Sequence, residues 1–209
     1  MSLGLFAMTA FAGALYVLIP GPAFLALFSL AAAHGRAAGV RFVAGHLIGD
    51  VFWGTLAFAA IIGVNQLGPT LFDLLGLVCG FYLVYLGIKA IRTKGGTAAP
   101  VGSHRPLVTG VLFGLTNPKA YPVSLAMFTA LTAHYADALS WDAAPQLMAA
   151  AFVGFIAADI ILVWAAGLAP VRKLFLHHGR VVTRVVGLMF IGFGAKSIAD
   201  AGRSFAGRA

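Results

Sequence analysis

Long apolar stretches alternate with short polar or charged segments along the whole chain of 209 residues. The apolar stretches show no alternation of period two, so they favour helices over the strands of a membrane barrel. A helix that crosses a bilayer needs about 20 apolar residues, and most of these stretches reach that length. We therefore predict an all-α integral membrane protein with six spans, with the approximate bounds 3–33, 39–64, 70–92, 106–133, 144–170 and 181–201.

The second half of the chain repeats features of the first half in the same order. In the second and fifth spans a glycine stands five residues before an aspartate. The matched positions in the second and fifth and in the third and sixth spans are Gly45 with Gly154, Asp50 with Asp159, Gly80 with Gly187, Gly87 with Gly194 and Lys89 with Lys196. Three spans per repeat is an odd number, so the two copies enter the membrane in opposite directions, which is a transporter architecture.

These matches predict two three-helix repeats in one chain. The first repeat covers 1–92, a cytoplasmic linker rich in Gly, Ala and Pro covers 93–105, and the second repeat covers 106–209. Chance similarity between glycine-rich helices is the alternative explanation.

The first and fourth spans are each broken near the middle, by Pro20-Gly21-Pro22 and by Asn117-Pro118-Lys119. Proline fits the first position of a new helix, and Gly and Asn fit the cap before it. Two such helix N-termini at the midplane would offer free N–H groups to an anion such as a substrate carboxylate. We therefore predict that the substrate contacts Gly21, Pro22, Asn117, Pro118 and Lys119; a simple proline kink is the alternative.

Asp50 and Asp159 occupy matching places in the middle of their spans. A charge at the bilayer centre costs at least about 2.5–3.5 kcal/mol, so each must face a cavity, pair with a base or carry a proton. We predict that both bind the substrate's amino group or a coupling proton, and that His46, four residues before Asp50, takes part in proton transfer. The alternatives for the aspartates are a structural ion pair with Lys119 or a hydrogen bond to the unsatisfied backbone of a broken helix.

The composition excludes an ordinary soluble domain, since 61% of residues are hydrophobic and 10% are charged, against about 25% charged in soluble proteins. The net charge of +8 comes from Lys and Arg between the spans, so nucleic acid is not an expected partner. Ten of these bases gather on one side, which predicts that this side is cytoplasmic and that both termini lie outside. With no base before Arg36, the first span is expected to remain as an anchor rather than a cleaved signal.

Several other residues carry weaker signals. Cys79 is the single cysteine, which excludes an intramolecular disulfide and a thiol relay. Tyr16 precedes the first break by one turn, and Trp53, Trp141 and Trp164 are expected to pack or to lie at the membrane interface. No His, Cys and Glu cluster suggests a metal site, and no cofactor is expected; the sequence is compatible with a homo-oligomer but indicates no oligomeric state.

Sequence motifs in the correct order cover nearly the whole chain. They are Pro20-Gly21-Pro22, Gly35-Arg36, Gly39 with Arg41, Gly45 through Gly49-Asp50, the third-span run 82–90 and the fourth-span run 114–120. Together they resemble the LysE/RhtB family of amino-acid exporters. The resemblance implies a bacterial inner-membrane protein that moves amino acids outward, driven by the proton motive force. Two departures, at Ala23 and Tyr121-Pro122, flank the predicted site, so no substrate identity is carried over.

The leading hypothesis is a secondary exporter of a zwitterionic amino acid or a closely related metabolite, working by alternating access. In this hypothesis the two broken helices and Lys119 hold the carboxylate. An exporter of divalent metal cations that uses His46, Asp50 and Asp159 is the alternative within transport. An intramembrane enzyme with an Asp50–Asp159 dyad and a non-catalytic membrane scaffold are remote alternatives.

Overall fold

A computed structural model describes residues 1–19, 21–92, 105–117 and 120–207. These residues form helices and contain no strand, which confirms the predicted all-α class for this part of the chain. The helices are α1 (Leu3–Leu18), α2 (Pro22–His34), α3 (Arg36–Gln66), α4 (Pro69–Arg92), α5 (Pro106–Thr116), α6 (Ala120–Thr132), a short 3₁₀ helix (Ala133–Ala138), α7 (Ala144–Gly167) and α8 (Ala169–Ala206).

Three of these helices, α3, α4 and α7, are each long and apolar enough to cross a membrane. The pair α1 and α2 meets the same measure when it is taken as one span with a bend of 62°. Among the described residues, α5 is a shorter apolar helix, and neither α6 nor α8 meets the measure alone. The structure is therefore that of a multi-pass membrane protein, and the six-span count stays a prediction.

Both broken spans are divided where the sequence predicts. The first stops at Leu18 and restarts at Pro22, and the fourth stops at Thr116 and restarts at Ala120. Proline cannot donate the backbone hydrogen bond that a continuing helix needs, which accounts for the position of each break. Pro20, Pro118, Lys119 and the linker segment 93–104 lie outside the described residues.

The expected loop between the fifth and sixth spans is wrong. Helix α8 begins at Ala169, directly after α7, and runs through the basic segment that was expected to connect the two spans. Pro170 stands in its first turn, where proline favours a helix start. The non-helical backbone of His178 (φ −109°, ψ 20°) marks the only interruption within the helix. Charged residues at a membrane surface are compatible with helix, so polarity alone did not predict a loop correctly.

Three helix pairs make the closest contacts: α1 with α7, α5 with α3, and α4 with α8. Glycines permit this proximity, as small residues do in membrane helix packing. A Cβ at Gly45 would overlap the Leu107 carbonyl of α5, and a Cβ at Gly154 would overlap the Ala10 carbonyl of α1. In the third pair, the glycines that face each other are Gly80 with Gly194 and Gly87 with Gly187.

The core between these pairs is aromatic. Phe128 of α6 is fully buried, with its ring centroid 4.4 Å from that of Phe58 on α3 and 6.5 Å from that of Phe155 on α7. Because α6 packs against α1, α3 and α4, it links the glycine-packed pairs. This arrangement holds α3 and α7, which carry the two buried aspartates, on the same core.

Candidate functional site

Asp50 lies at the centre of the candidate site. Its side chain is 1% exposed, and His46 Nδ1 lies 2.9 Å from its Oδ2 atom. The two residues are one helical turn apart on α3, so the helix itself brings them together. Since a carboxylate only accepts hydrogen bonds, His46 donates from Nδ1, and its Nε2 atom points away from the pair.

Two further ionisable groups face this pair from other helices. Asp159 of α7 is 8% exposed and close enough to interact electrostatically with both Asp50 and His46. The phenol of Tyr16, from α1, interacts with Asp50, and its ring lies 5.9 Å from that of Phe155. The fold thus brings the two predicted aspartates and His46 into one cluster, and it adds Tyr16.

The sequence singled out Tyr16 only weakly. Its one signal was its position a turn before the first helix break. A tyrosine at that position has no pattern that distinguishes it from a packing residue, because the partner that gives it a role is on α3, far away in sequence. Only the tertiary structure, in which α1 packs on α7 and Tyr16 interacts with Asp50, identifies it as a member of the site.

The second helix break is held directly beside Asp50. A Cβ at Gly49 would overlap the backbone of Gly114, which lies in the last turn of α5. Asn117, just beyond this turn, has extended backbone (φ −68°, ψ 108°), and its carbonyl accepts a hydrogen bond from Ala120 N at 3.0 Å. The predicted site residue Asn117 therefore ends α5 next to the helix turn that carries Asp50.

The first break lies beside α7, since Val17 and Leu18 at the end of α1 pack against a hydrophobic cluster that includes Leu162. Gly13 of α1 approaches Ala151 so closely that a Cβ on Gly13 would overlap the Ala151 carbonyl. Gly21 is the N-cap of α2 and has extended backbone (φ −145°, ψ −170°). No side-chain hydrogen bond caps the N-terminus of this helix. Pro22 occupies the first turn of α2, as predicted. The N-terminus of α2 thus has the uncapped geometry that suits an anion.

Two buried polar atoms in the cluster lack a hydrogen-bond partner within the described ranges: Asp50 Oδ1 and His46 Nε2. Buried polar atoms are nearly always paired, so an unpaired couple at one place suggests a bound molecule or water. A carboxylate oxygen and an imidazole nitrogen accept hydrogen bonds or exchange protons. The arrangement can therefore hold an ammonium group or pass a proton.

A separate cavity of about 570 Å³ lies at the end of the bundle where α3 and α6 finish and α4 begins. Neither Asp50 nor Asp159 lines it. One of its acids, Asp200, is paired with Lys196 and Arg203 at 2.6 Å each. Its polar lining includes Asn65, Asp73, Thr129, His134, Asp137 and Asp200.

The geometry offers little to a metal ion. Within the part of the chain that the structure describes, no three His, Cys, Asp or Glu side chains form a group that could hold one. No observation favours the alternative of metal export.

A sequence profile described as "LysE type translocator" matches residues 14–200. The chain belongs to this family. Among curated proteins it is similar to the "Leucine efflux protein" of Salmonella typhimurium (strain LT2), with 29% identity over 196 residues that cover 88% of this chain and 90% of the relative. It is also similar to the "Leucine efflux protein" of Enterobacter sp. (strain 638), with 25% identity over 190 residues that cover 86% and 88% of the two chains.

A third relative is an uncharacterized membrane protein of Pseudomonas aeruginosa, with 27% identity over 194 residues that cover 86% of this chain and 88% of the relative. No solved structure significantly matches the chain. Membership of the LysE-type translocators confirms the family that the sequence motifs resemble, and it indicates a multi-pass transport protein of the inner membrane rather than an enzyme.

Proposed function

We propose that this LysE-type translocator is a secondary active exporter of amino acids or closely related small metabolites across the inner membrane, coupled to protons. The observation that carries the proposal is the buried cluster of Asp50, His46 and Asp159 beside two broken helices. The names of the two efflux relatives make leucine the first substrate to test.

The proposed transport cycle is alternating access of two inverted repeats, 1–92 and 106–209, joined by the linker 93–105. The helix pairing supports it, because a two-fold exchange of the repeats converts α1 on α7 into α5 on α3. The same exchange converts the contact of Gly80 with Gly194 into that of Gly187 with Gly87. A helical bundle without an internal repeat would not be expected to show this two-fold relation at three interfaces.

In the proposed bound state, the ends of the broken helices and Lys119 hold the substrate carboxylate. The free first-turn N–H groups and the positive dipole end of a helix favour an anion. Gly21 and Pro22 supply the first end, and Asn117, Pro118 and Lys119 supply the second. These contacts bring a zwitterion's ammonium group within reach of the acidic cluster.

Asp50 and Asp159 then take the ammonium group or the coupling proton, and His46 relays that proton. The Oδ1 atom of Asp50 and the Nε2 atom of His46 support this role, since both are buried and have no hydrogen-bond partner among the described residues. Two buried carboxylates that interact electrostatically repel when both are charged. Binding of either an ammonium group or a proton relieves that repulsion, which gives a basis for exchange of one for the other.

We place the base-rich end in the cytoplasm and both termini outside. The cavity lined by Asp73 and Asp137 lies at the opposite end, where few Lys and Arg residues occur. It would then be the outward vestibule through which the substrate leaves. An acidic vestibule attracts the ammonium group of a departing amino acid.

The first experiment measures counterflow in proteoliposomes that contain the purified protein. Vesicles loaded with unlabelled leucine are diluted into labelled leucine, with and without an inward proton gradient, and parallel vesicles are tested with Mn²⁺ and Zn²⁺. We expect uptake of labelled amino acid and none of the metals. Metal transport without amino-acid exchange would refute the proposal.

The carboxylate site is tested with Lys119→Ala. The matched control is Lys173→Ala, which removes the same charge from an exposed position on α8. Loss of the substrate's charge partner should lower counterflow at subsaturating leucine by at least about a hundredfold, since breaking an ion pair inside a protein costs roughly 3–5 kcal/mol. Equal rates for the two variants would remove Lys119 from the site.

A further inference from the structure

The second helix break leaves the backbone carbonyls in the last turn of α5 without their helical donors, and Gly114 carries one of them. In a continuous helix the carbonyl of residue 114 accepts from the N–H of residue 118. Residue 118 is proline, which has no N–H. The Gly114 carbonyl must therefore find another donor in the low-dielectric interior or remain unpaired.

Trp53 supplies that donor. Its indole Nε1 donates to the Gly114 carbonyl at 3.0 Å. Tryptophan has one N–H donor and no acceptor, so this bond satisfies the side chain and the orphaned carbonyl together. The bond joins α3 to the last turn of α5.

The same indole also touches the other side of the break. Its ring centroid lies 6.0 Å from that of Tyr121, in the first turn of α6. Trp53 thus contacts the segment before the break and the segment after it. It follows Asp50 by three residues, so both side chains lie on neighbouring positions of one face of α3.

Among the residues that the structure describes, the other tryptophans make no comparable contact. Trp164 of α7 is 60% exposed, and Trp141 donates to the side chain of Gln66 at 3.0 Å from an exposed position. The position that matches Trp53 in the second repeat is Leu162, which has no donor. The contact across the break is therefore specific to Trp53 and not a general property of the tryptophans or of the repeat.

We propose that Trp53 is a positioning residue that fixes the second helix break beside Asp50 and so sets the affinity of the site for its amino-acid substrate. The affinity part rests on the proposed function. Trp53 acts by holding Gly114 and Tyr121 on the two sides of the break, while the chemistry of binding belongs to the break and to Asp50.

The test compares Trp53→Phe with Trp164→Phe, which removes an indole from the exposed side of α7. Leucine counterflow should show a KM raised about five- to a hundredfold in Trp53→Phe, the fold-change expected for one unpaired buried carbonyl. The maximal rate should change less than about twofold, and Trp164→Phe should match wild type. A lower maximal rate with unchanged KM would overturn the positioning role.

Amide hydrogen exchange separates this inference from the exporter hypothesis, because it needs no substrate. In Trp53→Phe we expect exchange to accelerate by about tenfold or more in peptides that cover residues 112–124, with the rest of α3 and α7 unchanged. Unchanged exchange there would refute the anchoring of the break, even if leucine is transported. Accelerated exchange would support it, even if wild type transports no leucine.

A spectroscopic readout covers the case in which Trp53→Phe fails to fold. The protein has three tryptophans, so the Trp141→Phe/Trp164→Phe double variant leaves Trp53 as the only one. Binding of leucine should then shift the emission of Trp53, since the break beside it becomes occupied. Binding without any shift would contradict the proposal.

Discussion

The two buried aspartates occupy matching positions in α3 and α7, but their surroundings differ. Asp50 has His46 one turn before it, bonded at 2.9 Å, and Trp53 one turn after it. Asp159 has at the same two positions Phe155, which is fully buried, and Leu162. The proposed repeats match at the two aspartates, while the polar partners are concentrated on one half.

This difference indicates how one fold can give two carboxylates different roles. A carboxylate with a fixed hydrogen-bond donor is favoured in its charged form, whereas one among apolar side chains is favoured in its neutral form. We propose that Asp50, with His46 beside it, receives the substrate's ammonium group and that Asp159 carries the coupling proton.

The largest effect is expected for Asp50→Asn. Counterflow of leucine at subsaturating concentration should fall by at least about a hundredfold, because the amide cannot balance the substrate's positive charge in the membrane interior. The matched control is Asp142→Asn, which removes an exposed carboxylate at the start of α7 and should behave as wild type. Normal counterflow in a folded Asp50→Asn protein would remove Asp50 from the substrate site.

The variant Asp159→Asn should separate coupling from exchange. We expect gradient-driven transport to fall about tenfold or more, while leucine exchange without a gradient stays within about threefold of wild type, because a permanently neutral amide carries no proton. Both rates are measured in the same proteoliposomes. If gradient-driven leucine transport were unchanged in the Asp159→Asn protein, the coupling proton would have to bind to another residue.

The third prediction replaces His46 by phenylalanine, the residue type at the matching position 155 of the second half. In His46→Phe, the Asp50 Oδ2 atom loses its donor, and an unpaired buried oxygen costs about 1–3 kcal/mol. We expect leucine counterflow to fall about five- to a hundredfold, less than in Asp50→Asn. The control is His34→Phe, at an exposed position near the end of α2. If His46→Phe were as active as wild type, the asymmetry between the two aspartates would have no functional role.

The smallest functional effect is expected where the two halves agree. Gly45→Ala and Gly154→Ala each force a methyl group against a carbonyl of the neighbouring helix. Each should lower the free energy of unfolding by about 1–3 kcal/mol, seen as a lower thermal midpoint in detergent. Gly63→Ala is the control, since a Cβ there meets no atom within 4 Å. If Gly45→Ala and Gly154→Ala lowered the free energy of unfolding by unequal amounts, the helix packing of the two halves would not be equivalent.

The sequence alone predicted the helical class, the places of both helix breaks and the two buried aspartates. Those features follow from local rules: apolar length, the missing N–H of proline and the cost of a charge in a bilayer. Polarity did not predict the structure of the segment 171–180 correctly. This segment belongs to α8, apart from the non-helical backbone of His178, and a charged surface helix can have the same composition as a loop.

The tertiary structure decided which residues meet. The contacts of Asp50 with Tyr16 and of Trp53 with Gly114 join helices that are distant in sequence. No pattern along the chain contains them, since each depends on how closely two helices approach at glycines such as Gly49. Local chemistry determined that the aspartates are buried and the helices broken, and the packing of α1 on α7 and of α5 on α3 brought the breaks to the aspartates.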